Sequence, residues 1–383
     1  MKRFLSTRYS EIKPSLMMKM AEMAKGITDS IDLTLGEPDI TTPEVICEEL
    51  YKAAKNGETH YVPGMGILGL RTAISDYWDR KYGLNYDPDE ILVTTGGSHA
   101  SYLTMQVCLD PGDEVIILEP FFTFYEEQVL QAGGVPIYCM SGAEKGFLPD
   151  PKEIESKISK RTKAILINSP CNPTGAVFPY ELLMKISQIA SKYDLLVVSD
   201  ELYESFVYEG THVPFASLPG MKERTITIGG MSKTYAMTGW RIGYAMGSPV
   251  YLKAMQVTGV SQTLSVNTMV QRASEFALNN CDDIVKEIST LYGERTKFAY
   301  EKFKTLPGIK TAEPKGSFYL FLDVSATGMD GEEFATKALK EARVVTIPGA
   351  SFGPNCNNYI RIACTVSEEM LEEASRRIRK ILV

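Results

Sequence analysis

Histidine is scarce in this chain: His60, His99 and His212 are the only three among 383 residues, and they stand far apart. The seven cysteines are also scattered, with no ligand-like spacing, so the sequence offers no metal site. An odd set of unpaired thiols suits a reducing cytosol, and a cytoplasmic location is expected. No apolar run reaches the roughly 18 residues that a membrane-spanning helix needs, so no membrane partner is expected. Positive charge is in deficit, with 40 Lys and Arg against 48 Asp and Glu, a net of −8. That balance argues against nonspecific binding to nucleic acid or to an anionic membrane surface. The start, Met1-Lys2-Arg3-Phe4-Leu5, lacks the long apolar core of a signal peptide. Internal repeats, low-complexity tracts and long linkers are missing as well.

What is present has the composition of a soluble globular protein. Hydrophobic residues make up 44% and charged residues 23%, and the length exceeds what one core usually holds, so two domains are expected. Several short apolar runs are continuous and β-branched, as in strands buried on both faces of a parallel sheet. Ile91-Leu92-Val93-Thr94 leads into Thr95-Gly96-Gly97-Ser98, and Val115-Ile116-Ile117-Leu118 into Glu119-Pro120-Phe121-Phe122. Ala164-Ile165-Leu166-Ile167 leads into Asn168-Ser169-Pro170-Cys171-Asn172, and Leu195-Leu196-Val197-Val198 into Ser199-Asp200-Glu201-Leu202-Tyr203. Helix-like stretches such as Pro179 to Tyr193 separate them, which gives a βαβ pattern. In open α/β sheets ligands sit beyond the carboxyl ends of the strands, where these polar residues fall.

The stretch Gly229-Gly230-Met231-Ser232-Lys233 is the most informative of these ends, because Arg241 follows its lysine eight positions on. A lysine amine can form a Schiff base with an aldehyde, and an arginine fork can hold a phosphate. Pyridoxal phosphate carries both groups. Each partner residue also has a plain alternative. Gly97 and Ser98 can turn amides toward a phosphate at a helix start, or form an ordinary turn capped by Ser98. Asp200 can accept from a pyridinium nitrogen or serve in a cap or salt bridge. Tyr203 and Asn172 can face a phenolic oxygen, or be a half-buried tyrosine and an Asn-Pro turn. Phe122 can stack on a cofactor ring or belong to the core. Arg361 sits in the strand-like Asn358 to Ala363, where a half-buried arginine needs an anion, either a carboxylate ligand or a structural partner.

Taken in order, these segments resemble the fold-type I pyridoxal-phosphate aminotransferases of class I/II, the aspartate aminotransferase-like group. The resemblance spans about Leu33 to the C-terminus and rests on Gly36-Glu37-Pro38-Asp39, Tyr61-Val62-Pro63-Gly64, Asn172-Pro173-Thr174-Gly175, Asp200-Glu201-Leu202-Tyr203, Ser232 to Tyr244 and Arg361. It implies an α/β large domain with a mostly parallel seven-stranded sheet between helices, and a smaller discontinuous α+β domain. It implies pyridoxal 5′-phosphate as cofactor, with Lys233 as the Schiff-base lysine and proton shuttle. Asp200 would pair with the pyridine nitrogen, and Tyr203 and Asn172 would face the phenolic oxygen. Phe122 takes the place of the stacking aromatic. Gly97, Ser98, Ser232 and Arg241 would hold the phosphate, with Tyr61 reaching it from the partner subunit of a homodimer. Arg361, the Gly36 backbone and Asn172 would bind the substrate carboxylate. Two departures stand out: Gly230 replaces a serine common in relatives, removing one phosphate contact, and Cys171 replaces a frequent asparagine.

The expected division is 1–45 as N-terminal arm and part of the small domain, 46–280 as the large cofactor-binding domain and 281–383 as the small C-terminal domain. Residues 14–25 read as a short helix with Ile12, Leu16, Met20 and Ala24 on one face, an arm on the partner subunit or over the site entrance. Ile284 to Thr305 reads as a long helix. The implied reaction moves an amino group between an L-amino acid and a 2-oxo acid by a ping-pong route. The expected couple is 2-oxoglutarate/glutamate with an aspartate, alanine or aromatic partner. The alternative is a carbon–sulfur β-lyase or another carbanion enzyme of the same fold. Lys13, Lys19, Arg71 and Arg272 are candidates for a second carboxylate, and Phe122, Phe124, Tyr125, Phe318 and Tyr319 for an aromatic-accepting pocket. A DNA-binding regulator built on this fold is disfavoured, since about 30 residues precede the matching region.

Overall fold

The computed structural model describes residues 16–383, the side chain of Met17 excepted. Twelve strands follow in chain order. They are β1 (Ile31–Asp32), β2 (Ile91–Thr94), β3 (Glu114–Glu119), β4 (Val135–Met140), β5 (Thr162–Asn168), β6 (Leu196–Asp200), β7 (Thr225–Gly230) and β8 (Gly243–Met246). The remainder are β9 (Tyr319–Asp323), β10 (Val344–Val345), β11 (Ile347–Pro348) and β12 (Tyr359–Ala363).

Seven of them form one sheet in the order β2-β8-β7-β6-β5-β3-β4. β8 is antiparallel to both of its neighbours and every other pairing is parallel, so the sheet is mostly parallel. Strands β2 and β3 are buried along their whole length, which explains the apolar runs at 91–93 and 115–118 within them. After β4 closes one edge, β5 pairs with the other side of β3. That reversal of strand order opens a crevice at the carboxyl ends. The helix expected over Pro179 to Tyr193 is Tyr180–Lys192, and the long one expected over Ile284 to Thr305 is Asp282–Phe303. Only Cys281 separates that helix from the preceding one, Thr268–Asn280.

The last eighty residues or so build a second layer around the antiparallel sheet β11-β12-β9. Its core joins Leu320, Ile360 and Ile362 to Phe303, Phe334 and Leu371, and also to Met20, Ile31 and Leu33 from the start of the chain. β1 pairs with β10 in parallel, so the N-terminal segment completes the C-terminal unit. The helix Leu16–Ala24 packs through Met20 into this same core. The arm reading is thus corrected for the described part: its apolar face is spent inside its own chain, while Met18 is left exposed. Ile12, Lys13 and Pro14 lie outside the described residues. β12 corrects a second expectation. It is central, with β9 and β11 on either side, and all five residues are buried rather than half-buried. Ile360 and Ile362 face the small core, and the alternation turns Arg361 the other way, toward the sheet crevice.

Candidate active site

Lys233 stands just past β7, where two glycines let strands meet closely. A side chain on Gly229 would lie 2.5 Å from the Tyr244 ring, and Gly230 is in register with Gly243. The lysine is half-buried and its Nζ donates to the Gly36 carbonyl at 2.5 Å. Burial pushes its pKa down to about 8; Glu37 opposes this, and the positive charges of Arg361 and Arg241 push the same way as burial. It has no carboxylate partner among the described residues.

Asp200 ends β6 and is buried as well. Tyr125 Oη donates to its Oδ2 at 2.5 Å and the Leu202 amide to its Oδ1 at 3.1 Å. Burial raises its pKa to about 6, held back by the Tyr125 bond, so the carboxylate is ionised at neutral pH. Tyr203 Oη lies 2.7 Å from Tyr319 Oη. The Asn168 side chain ties two strand ends together, donating to the Asp200 carbonyl at 3.0 Å and accepting from the Asn172 amide at 2.8 Å.

Two arginines line the same cavity. Arg361 is buried at 4% exposure, which for a guanidinium demands compensation. Its Nη1 donates to Asn172 Oδ1 at 3.2 Å and its Nη2 to the Thr34 carbonyl, while Nε has no partner. The rings of Tyr319 and Phe352 lie 4.6 and 5.0 Å from its Cζ. Burial lowers its pKa from the usual arginine value. Arg241 takes the left-handed conformation at φ 56 and does not open the next strand, which starts at Gly243. Its Nη1 donates to the Thr238 carbonyl at 2.8 Å, and a side chain on Gly96 would lie 2.8 Å from its Nη2. Neither arginine has an ion pair among the described residues. Facing Arg241 is the start of the helix Gly97–Cys108, capped by Gly96 at φ 96 with no side-chain cap, so Ser98 is not the cap. First-turn amides lack intrahelical acceptors and carry the positive end of the helix dipole.

A cavity of about 190 Å³ collects all of this: Gly36, Gly97, Ser98, Phe122, Asn172, Asp200, Tyr203, Ser232, Lys233, Arg241 and Arg361 line it. Tyr61 is the one proposed site residue outside it, 79% exposed beside Ser265 to Met269. Tyr125, Tyr319, Asn168 and Thr34 were not assigned their site contacts from sequence; their partners lie far along the chain and no spacing announces them. Lys19, Arg71 and Arg272 do not reach the cavity, being bonded to Glu332, Asp89 and Glu58. Phe124 and Phe318 do not line it either. A larger groove of about 940 Å³ runs between the helices Leu68–Tyr82 and Asp282–Phe303. It holds none of these groups, and chemistry, not size, identifies the site.

An amine, an anion cradle and a buried carboxylate converging in one small cavity fit pyridoxal phosphate, and the unpartnered Nε of Arg361 leaves room for a further anion. The class defined by this fold and site is that of the pyridoxal-phosphate enzymes. Within it, the chain belongs to the aminotransferase class I and II family, which it matches over residues 28–378. It is 40% identical to an aspartate aminotransferase of Pyrococcus horikoshii, over 100% of this chain and 98% of that one. It is 39% identical to an aspartate/prephenate aminotransferase of Thermus thermophilus, over 99% of each. A solved structure of the Thermus thermophilus aspartate aminotransferase with maleate superposes with a TM-score of 0.94 at 38% identity, covering 99% of this chain and 100% of that one. The protein is a pyridoxal-phosphate-dependent aminotransferase.

Proposed function

We propose that the enzyme exchanges an amino group between the glutamate/2-oxoglutarate couple and an aspartate, alanine or aromatic partner. The observation that carries the reading is Arg361, a buried guanidinium without a carboxylate, in the same cavity as the amine of Lys233. A substrate carboxylate would compensate it in bidentate fashion.

Pyridoxal phosphate, when bound, supplies an aldehyde for the amine and a ring that accepts electron density from the substrate Cα. Gly97, Ser98, Ser232 and Arg241 hold its phosphate. Asp200, kept ionised by the Tyr125 donor, holds a proton on the pyridine nitrogen. Tyr203 and Asn172 serve the phenolic oxygen, and Phe122 supplies an aromatic face. Arg361, braced by Asn172 Oδ1, binds the α-carboxylate beside the Gly36 backbone. That contact orients the substrate and aims its Cα–H. Lys233 Nζ, whose neutral fraction is raised because burial brings its pKa down to about 8, takes the Cα proton and later returns one.

The functional unit is read as a homodimer with shared sites. The helix Pro249–Thr263 carries apolar residues on its exposed side as well as its buried one, leaving Val250 and Val257 at 75% and 72% exposure, with Leu264 beyond it at 53%. Tyr61 lies on the neighbouring segment, whose Gly64 would touch Val260 if it bore a side chain. A helix of this character belongs in an interface, and a second copy would cover it. The domain division proposed is 1–45, 46–280 and 281–383, supported by the shared core of the two chain ends. The cytoplasm is the compartment that suits seven free thiols.

The test is the visible absorption of the holoprotein titrated with single amino acids and no acceptor. Bleaching with stoichiometric 2-oxo acid release supports transamination and identifies the donors. A persisting band with catalytic release of ammonia and 2-oxo acid would instead make the enzyme a lyase.

A further inference from the structure

Tyr319, expected from the sequence only as a candidate pocket aromatic, touches three of the residues assigned to cofactor and substrate. Tyr319 opens β9 and is buried at 1% exposure. Its ring face carries the Arg361 guanidinium, 4.6 Å from Cζ to centroid. Its hydroxyl lies 2.7 Å from Tyr203 Oη and 3.4 Å from the Gly36 carbonyl. The approach to Gly36 is so close that a Cβ there would sit 2.1 Å from Tyr319 Oη.

These distances bear on where the Tyr319 proton goes. The Gly36 oxygen is already taken by Lys233 Nζ at 2.5 Å, and at 3.4 Å it is a poor acceptor for Tyr319. Tyr203 Oη at 2.7 Å is a good one. With Tyr319 donating to Tyr203, the Tyr203 proton is free to point into the cavity. A hydroxyl that accepts one hydrogen bond donates the next more strongly.

We propose that Tyr319 is a positioning residue with two separable parts: its hydroxyl directs the Tyr203 proton toward the cofactor's phenolic oxygen, and its ring braces Arg361 for the substrate carboxylate. The inference rests on the roles proposed above for Tyr203 and Arg361. The groups facing this chain of contacts are Lys233 and Glu37 from the Gly36 side, Asp200 beside Tyr203, and Asp32 beyond Arg361. None of them intervenes between the two phenols at their 2.7 Å separation.

The experiment compares the holoenzyme with Tyr319→Phe, Tyr319→Leu, Tyr203→Phe and Arg361→Ala. It reads the pH midpoint of the visible band and the spectroscopic Kd of maleate, a carboxylate that cannot react. Circular dichroism melts check folding. Tyr319→Phe keeps the ring and loses the hydroxyl. It should raise the band's midpoint, proton binding tightening about threefold, with maleate affinity within about twofold of the parent. Tyr319→Leu should also weaken maleate about tenfold, through loss of the desolvated ring beneath the cation. An unchanged midpoint in Tyr319→Phe, where Tyr203→Phe moves it, would overturn the hydroxyl role while leaving the assigned site intact. Unchanged maleate binding in Tyr319→Leu, where Arg361→Ala weakens it, would overturn the brace. Should Tyr203→Phe and Arg361→Ala both match the parent, the underlying site assignment fails, and the inference with it.

Discussion

At the scale of single residues, the chemistry of the cavity is set by how burial shifts proton affinity. Lys233 has a pKa near 8, lowered first by burial. Its neutral fraction therefore rises with pH through 8, and the rate at which cofactor-free protein develops the visible band on adding pyridoxal phosphate should rise over pH 6.5–9 and then level. A flat profile would refute a buried, titrating amine. The sign for stability follows from the same shift. Between pH about 8 and the unfolded value near 10.4, the unfolded chain binds more protons, so stability of the cofactor-free protein increases with pH there. Below that window the lysine costs about 3 kcal/mol. Lys233→Met should accordingly raise the unfolding temperature at pH 7, with the gain shrinking by pH 10, as calorimetry would record. Lys233→Ala should abolish transamination while the protein stays folded; full turnover in that variant would sink the catalytic assignment. Arg361→Ala should raise KM for the amino acid roughly 10- to 100-fold, the worth of charged hydrogen bonds, and steady-state kinetics would check it.

At the scale of elements, the proposed seat of the phosphate depends on strands packed backbone to backbone. A Cβ on Gly243 would stand 2.6 Å from the Gly97 amide and 2.7 Å from the Gly96 carbonyl carbon, with the Gly229 oxygen 3.0 Å away. None of these is the end of a flexible side chain. Gly243→Ala should shift the Gly96–Gly97 turn and weaken cofactor retention by about tenfold or more, measured by equilibrium dialysis, with a lower melting temperature. The parallel strands farther along the sheet were legible in the sequence because burial on both faces gives β3, β5 and β6 continuous apolar stretches. The reversed direction of β8 was not, since hydrophobic pattern carries no sense of direction. The two-residue strands β1, β10 and β11 are too short to leave a period. The polar residues at strand ends were legible for the same reason as the strands. The groups that hold them were not: Tyr125 meets Asp200 across 75 positions and Tyr319 meets Tyr203 across 116. Those contacts exist only once the chain has closed on itself.

At the scale of the whole molecule, one chain gathers its lysine, carboxylate and both arginines, yet leaves Tyr61 facing outward at 79% exposure. Val257→Asp on the neighbouring apolar helix should split the proposed dimer and lower cofactor affinity with it, as sedimentation and dialysis would report together; a monomer with parental affinity would refute shared sites. The proposed division of labour between copies would also reach into inheritance. Suppose one copy carries Lys233→Ala and the other Tyr61→Ala. In a mixed pair, both lesions fall in the same active centre, and the opposite centre receives two intact contributions. Two alleles that are each defective alone would then complement one another, restoring activity to a cell that expresses both.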